Sequence, residues 1–346
     1  MLDQNPPAQL PANPNVAIVG STGAVGVELL NTLAARGFPL ANLKLLASAR
    51  SAGKEVSFNG GTLIVEELSE NSFDDVHVAF FSAGATLSRK FAPIAVAAGA
   101  LVVDNSSAFR MDPDVPLVVP EANAAAMSGH AGVVANPNCV AAIATVALAP
   151  LHKAFNIQRL NLATYQAASG AGAAAMEELR QGTQAYLNGD DFQPEVLPHP
   201  YAFNFFSHNA DIEDNGYNGE ENKVIAEVRR IMERPALPIG VTCIRVPILR
   251  AHGMAISIEF DQPVSPEQAR ALLQDAPGVK LVDDREANYF PMPVDASGQE
   301  DVLVGRIRED LGDPSGRSLS IFVVGDQLLK GAALNAVQIA EQFLPA

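Results

Sequence analysis

The heptapeptide Gly20-Ser-Thr-Gly23-Ala-Val-Gly26 lies between a short apolar run, residues 15–20 (NVAIVG), and a stretch with apolar residues at helical spacing, residues 25–36 (VGVELLNTLAAR). Glycines between a buried strand and a helix let the backbone turn tightly and approach a pyrophosphate, which then rests against the helix N-terminus. The spacing GxxGxxG is a variant of the dinucleotide fingerprint. Any strand–helix glycine turn looks similar in isolation. Its position at the first βα turn of an alternating chain is what points to dinucleotide binding.

The alternation continues. Short strands are expected at 43–47, 76–81, 100–103, 117–119 and 132–134, with helical stretches between them, as at 88–98. Strands alternating with helices predict right-handed βαβ units and a doubly wound, Rossmann-like α/β domain with a parallel sheet. Where the second strand ends, an NAD site calls for a carboxylate on the ribose 2′-hydroxyl. This chain has Ser48, Arg50 and Ser51 there. A guanidinium and two hydroxyls suit a 2′-phosphate, so the expected cofactor is NADP rather than NAD.

Beyond residue 139 the pattern changes. The runs 158–166, 241–248, 254–260, 302–308 and 318–324 are alternating or β-branched and predict a second, α+β domain with a mixed sheet. Residues 190–221 are expected to form a long ordered loop, and 328–343 an amphipathic closing helix. The domain reading is therefore a disordered leader over 1–14, a dinucleotide-binding domain over 15–139 completed by a C-terminal helix over 327–346, and a second domain over 140–326.

The 346 residues carry 23 Lys+Arg against 39 Asp+Glu, a formal net charge of −16. Such a chain is repelled by nucleic acid and by anionic membrane surfaces, so neither is an expected partner. Two cysteines, Cys139 and Cys243, form neither a disulfide framework nor a metal-ligand pattern; no metal is expected, and a reducing, cytoplasmic setting is. The opening MLDQNPPAQLPANPN has no basic n-region and no apolar h-region.

Asn136-Pro137-Asn138-Cys139 ends a strand and opens a helix. A thiol there gains from the positive end of the helix dipole, which favours the thiolate, and lies at the sheet edge where ligands bind in such folds. Free cysteine is also among the most buried residue types, so the residues alone leave Cys139 open between nucleophile and small core side chain. Cys243, in the strand-like VTCIRV, is expected in the core.

The blocks GSTGAVG (20–26), SARS (48–51), FSAG (81–84), DNSSAFR (104–110), VVPEAN (118–123), ANPNC (135–139), TYQAASGAG (164–172), GYNGEENK (216–223), RVPILRAH (245–252) and KGAALNAVQIAE (330–341) occur in an order and spacing that resembles the aspartate-β-semialdehyde dehydrogenase family, from about residue 15 to the C-terminus. The resemblance implies a second domain that is catalytic and dimerising, NADP, a homodimer, and reversible conversion of aspartate-β-semialdehyde plus phosphate to β-aspartyl phosphate, a step toward lysine, threonine, methionine and diaminopimelate. It implies Cys139 as the nucleophile that carries a thiohemiacetal and then a thioester. His252 follows as acid/base and Gln166 as an orienting group. Arg245 is expected on the substrate carboxylate and Glu220 on its ammonium, with Arg110, Asn138 and Lys223 on phosphate. The implied cofactor contacts are Gly20, Ser21, Thr22, Gly23, Ala24, Val25, Ser48, Arg50, Ser51, Ser82, Gly84, Ser169, Gly170 and Gln327.

Arg245 and His252 are seven apart, so strand periodicity sets them on opposite faces unless the segment bends; Pro247 is a place for that bend. Two positions depart from the family pattern. Val140 follows the nucleophile where Ser or Thr is common, and Asp326-Gln327 replaces an aspartate-asparagine pair. Two other readings stay open: an N-acetyl-γ-glutamyl-phosphate reductase, whose acetylated substrate has no ammonium for Glu220, and a non-catalytic paralogue acting by binding.

Overall fold

The computed structural model describes residues 9–345. It divides into two compact units, one ending at Asn138 and resumed from Ala332, the other Cys139–Gly331. The expected boundaries lay one residue after the first crossing and five before the second. Residues 327–331 fall with the second unit because they pack there: a Cβ built on Gly331 would lie 2.8 Å from that of Cys139.

In the first unit, β1 (Asn15–Val19), β2 (Asn42–Ala47), β3 (Glu55–Phe58), β4 (Gly61–Glu67), β5 (Val78–Phe81), β6 (Leu101–Asp104) and β7 (Val133–Ala135) form one sheet in the order β3-β4-β2-β1-β5-β6-β7. All pairings are parallel except the β3–β4 hairpin. That hairpin turns through Asn59 and Gly60, both at positive φ. Asn-Gly with two left-handed residues matches the right-handed twist of paired strands, and it extends the expected all-parallel sheet with an antiparallel edge.

Alternate strand residues face opposite layers. Val16, Ile18, Val78, Phe80, Leu101 and Val103 meet Leu29 and Leu33 of the helix Ala24–Ala35 and Val337 and Ala340 of the helix Leu334–Glu341. On the other face Phe81 stacks on Phe73, whose ring also meets Phe91. Arg36 clasps Glu341 through two bonds of 2.7 and 2.8 Å, tying the C-terminal helix to the first one.

Three expectations need correction here. Residues 117–119 make only an isolated bridge, Leu117 to Ala135, because Pro116 and Pro120 remove backbone donors on both sides. The closing segment is a π-turn (Leu329–Ala333) leading into Leu334–Glu341, and most of its side chains are buried, so it is not amphipathic. Of the expected disordered leader, residues 1–8 lie outside the described residues, but Leu10 is 3% exposed and donates its N–H to the Phe343 carbonyl at 2.7 Å.

The second unit holds β8 (Ile157–Gln166), β9 (Phe206–Ser207), β10 (Ile239–Arg245), β11 (His252–Phe260), β12 (Val279–Leu281), β13 (Val302–Glu309) and β14 (Ser318–Gly325), in the order β12-β13-β14-β11-β8-β10-β9. The sheet is mixed. β8 runs parallel to β10 and antiparallel to β11. The helices Cys139–Phe155, Gly219–Ile231 and Pro266–Gln274 pack with this sheet, and the first of them buries Val140 through Leu148 without a break. Pro150 does not end that helix, which runs on to Phe155. The other sheet face carries Asn161, Ala163 and Tyr165 of β8, Thr242 and Ile244 of β10 and Ala255 and Ser257 of β11, exposed or half-buried.

Truncation of a buried leucine leaves a cavity. Leu10→Ala should therefore cost about 2–4 kcal/mol of stability, read from urea unfolding. An unchanged midpoint would mean that this segment contributes no packing.

Candidate active site

In the first unit the strand order reverses between β1 and β5: the chain moves from β1 to β2 on one side and returns to β5 on the other. Such a switch point opens a crevice at the carboxyl ends of the strands. The turn after β1 and the turn after β5 line it. Gly20 has φ +89°, and a Cβ there would lie 3.0 Å from backbone atoms of Ser82 and Ala83. At Gly26 a Cβ would come within 2.2 Å of the Gly20 carbonyl oxygen, so only glycine lets the helix start pack on the turn.

Ser82 Oγ donates to the Val19 carbonyl at 3.0 Å, and Gly84, at φ +88°, precedes the helix Ala85–Ala97. Thr22 Oγ1 lies 3.4 Å from Ser51 Oγ, and Ser51 N–H closes a turn on the Ser48 carbonyl at 2.8 Å. Ser21, Gly23, Ala24 and Val25 fill the rest of the turn and the first helical positions, and Arg50 is exposed beside them. The small turn and the Ser48–Ser51 hydroxyls and guanidinium fit a dinucleotide.

The same unit builds a buried polar network behind the ends of β6 and β7. Arg110 Nε donates to the Asn136 carbonyl at 2.9 Å and its Nη2 to the Asn105 carbonyl at 2.8 Å. Asn136 Nδ2 donates to Asn105 Oδ1, and Asn335 Nδ2 reaches Asn136 Oδ1 and the Val118 carbonyl. Asp104, fully buried, accepts from Ser88 and from both the N–H and hydroxyl of Ser106; burial raises its pKa against those bonds. The expected phosphate residue Arg110 is thus fixed by backbone carbonyls, and Asn138, 6% exposed, follows two residues after Asn136.

The second unit gathers the others. Cys139 is the first residue of the helix Cys139–Phe155 and half-buried. Gln166 ends β8, Arg245 ends β10 opposite it, and His252 begins β11 on the other side of β8. Parallel and antiparallel pairing bring all three to one end of the sheet. The strand parity that separates residues seven apart does not apply, because 246–251 is a crossing between two strands.

His252 is fully buried. Its Nδ1 accepts the Ala167 N–H at 3.0 Å, so the ring proton sits on Nε2, and Nε2 has no hydrogen-bond partner. Burial and then the Arg245 charge push its pKa down to about 3. Arg245 is 4% exposed and bonds Asn209 Oδ1, the Ala167 carbonyl and His208 Nε2 at 3.3, 3.4 and 2.7 Å; no carboxylate among the described residues pairs with it. Gln166 Nε2 donates to Glu220 Oε1 at 3.2 Å, and Lys223 Nζ lies 3.8 Å from Glu220 Oε2. Glu220 and Lys223 are set by a capping box, Asn218 with Glu221, and Glu221 also accepts the Cys243 N–H at 2.9 Å.

Three residues expected at the cofactor have other surroundings in this unit. A Cβ on Gly170 would lie 3.1 Å from His252 Nε2 and 3.3 Å from Arg245 Nη1, so Gly170 leaves the room that these two groups face. Ser169 Oγ and Gln327 Nε2 bond each other, while Gln327 Oε1 accepts the Ala251 N–H at 2.8 Å. Ala251 is held at φ +72°, a left-handed conformation that costs about 1–2 kcal/mol for a side-chain-bearing residue. Buried Asp326 accepts from Arg250 Nε at 2.6 Å and from the N–H groups of Gly298 and Leu328. Gln327 and Asp326 thus fix the two residues before His252.

Tyr201, which no sequence pattern singled out, places its hydroxyl 2.5 Å from the Val246 carbonyl and 3.2 Å from that of Gln166, bracing the strand ends. Cys243 is buried, and burial pushes its thiol up to about 12. Among the described residues no cluster of His, Cys, Asp and Glu could hold a metal ion, and no helix is long and apolar enough to cross a membrane.

The unfolded imidazole titrates near 6.5 and the folded one at about 3, so the unfolded chain binds the extra proton between them. Stability supplied by neutral His252 is full above pH 6.5 and is lost as pH falls toward 3. His252→Asn should flatten this acid-side slope in urea titrations; an unaltered slope would mean the folded ring takes up its proton normally.

The model of the semialdehyde dehydrogenase NAD binding domain matches residues 15–130, and that of the semialdehyde dehydrogenase dimerisation domain matches residues 148–330. The chain is 52% identical over 332 residues to an aspartate-semialdehyde dehydrogenase of Synechocystis sp., covering 96% of this chain and 98% of the relative. It is 47% identical over 337 residues to that of Bacillus subtilis, covering 95% and 97%. The solved structure of aspartate semialdehyde dehydrogenase II complexed with ASA, from Vibrio cholerae, matches with a TM-score of 0.92 at 43% identity over 95% of this chain and 97% of that one. These likenesses span nearly the whole chain, which belongs to the aspartate-semialdehyde dehydrogenase family of oxidoreductase enzymes.

Proposed function

We propose that the chain catalyses NADP-dependent, reversible reductive dephosphorylation of β-aspartyl phosphate to aspartate-β-semialdehyde through a thioester on Cys139. One observation carries the reading. A buried guanidinium without a carboxylate partner and a buried imidazole with an unpartnered Nε2–H meet at one sheet end, beside Gly170. Buried polar groups left so are costly unless a ligand completes them. The substrate's carboxylate and the oxygen of its reacting carbonyl are the complement.

Cys139 attacks the acyl phosphate; the S–C bond forms, the C–O bond to phosphorus breaks, and inorganic phosphate leaves. When bound, the nicotinamide supplies the hydride that reduces the thioester carbon. His252 Nε2–H donates a hydrogen bond to the oxyanion formed at that carbon and keeps its proton; the oxyanion then re-forms the C=O bond, the C–S bond breaks, and Cys139 leaves as the thiolate as the aldehyde is released. The Nε2–H tautomer set by Ala167 supports this role, since it offers the oxygen a donor. Arg245 holds the substrate carboxylate and Glu220 its ammonium, with Gln166 fixing the Glu220 carboxylate. Arg110, Asn138 and Lys223 take the phosphate. Ser48, Arg50 and Ser51 support NADP, the 2′-phosphate meeting the guanidinium. Glu220 favours a free ammonium over an N-acetylated substrate.

We also infer a homodimer formed through the uncovered face of the second sheet, in line with the dimerisation-domain match. Ala163 is central there, between Thr242 and Ala255.

Mixing the protein with aspartate-β-semialdehyde, phosphate and NADP should give phosphate-dependent absorbance at the NADPH band. Cys139→Ala should abolish it while NADP still binds, and Lys223→Ala should raise the KM for phosphate more than that for the aldehyde. Absence of phosphate-dependent reduction would refute the reaction, and activity persisting in Cys139→Ala would refute the nucleophile. Ala163→Arg should convert the dimer to monomer in light scattering; a retained dimer would move the interface elsewhere.

A further inference from the structure

β9 is two residues long and lies at the sheet edge, opposite Arg245 at Phe206. The His208 N–H extends the pairing to the Cys243 carbonyl at 2.8 Å. Strand period returns the face at His208, which becomes the diagonal neighbour of Arg245. Its Nε2 lies 2.7 Å from Arg245 Nη2. On the other side of the ring, Nδ1 faces the Ala210 N–H at 3.2 Å.

Both neighbours are donors. A guanidinium does not give up its protons, and a neutral imidazole has one lone pair to offer. The ring is therefore one acceptor short, and protonation would leave it with none. Burial and the Arg245 charge hold His208 down at about 4, with Glu220 opposing and Lys223 assisting, so the ring is neutral at ordinary pH. An anionic oxygen placed at Arg245 Nη2 and His208 Nε2 resolves the conflict. Nδ1 then accepts from Ala210, Nε2–H donates to the oxygen, and Nη2 donates to it as well. Arg245 Nε is already engaged by Asn209 Oδ1, which leaves the second donor to another residue.

We propose that His208 is a second ligand of the substrate carboxylate, donating from Nε2 to an oxygen that Arg245 Nη2 also holds. This rests on the reading that Arg245 binds that carboxylate.

The test compares aspartate-β-semialdehyde with 3-aminopropanal, the same aldehyde and amine with hydrogen in place of the carboxylate. A hydrogen bond to a charged group is worth about 1.5–3 kcal/mol, so His208→Ala should lower kcat/KM for the carboxylate substrate about 10–100-fold, mainly through KM. It should leave 3-aminopropanal and the KM for phosphate nearly unchanged, and His208→Gln, which keeps a donor, should recover most of the loss. Equal losses on both aldehydes, or no loss on either, would overturn the proposal. Arg245→Ala separates it from its premise: if that variant still prefers the carboxylate substrate as the parent does, the Arg245 reading fails whatever His208 does.

A second measurement stands without turnover. In Cys139→Ala protein saturated with aspartate-β-semialdehyde, histidine ¹⁵N shifts should report His208 protonated on Nε2. A bare Nε2 with substrate bound would overturn the assignment.

Discussion

One pairing choice organises the second unit: β8 lies between a parallel partner, β10, and an antiparallel partner, β11. Because the side-chain period of a strand is two, a slip of one residue in either ladder would exchange the buried face for the open one. Arg245 would leave the common end in a β8–β10 slip and His252 in a β8–β11 slip. The register is protected by the apolar residues that share their face, among them Leu162, Val241, Cys243, Met254 and Ile256, all buried. Core packing and the geometry of the candidate site are therefore specified by the same strands.

Around that end, buried polar atoms are answered by backbone more than by other charges. Ala167 donates to His252, and the Ala167 carbonyl and the Asn209 side-chain amide receive Arg245; within the first unit, the Asn136 and Asn105 carbonyls receive Arg110 in the same way. Carbonyl and amide partners orient a group without neutralising it. Arg245, treated this way, keeps its charge for an anion. Asp326 works differently, since its carboxylate is used up on Arg250 and on backbone N–H groups. It fixes Arg250, the residue before Ala251.

The glycine turn, the alternation of the first unit and the helix-opening cysteine were legible because each is a local matter of backbone conformation. The Asn59-Gly60 hairpin is equally local, but a pattern of parallel βαβ units has no place for an antiparallel edge strand. The strand expected at 117–119 failed on its flanking prolines. Arg245 and His252 were linked only by family likeness. Their proximity depends on a crossing, 246–251, whose shape is set by Gln327 and Asp326 some 75 residues later in the chain, as the Ala251–Gln327 and Arg250–Asp326 bonds show. For Gln327 the family likeness implies a cofactor contact, while its bond to Ala251 joins segments that no periodicity connects.

Cys243 has a consequence for the chemistry of the whole molecule. Its thiol is shut in the core and stays protonated to about pH 12, so electrophiles and oxidants meet no thiolate there. Cys139, half-buried at a helix start, is the only other sulfhydryl in the chain. In the native protein, reagent consumed by thiols is thus a count of Cys139 alone, and its titration can be run on the intact chain without first removing a competing cysteine.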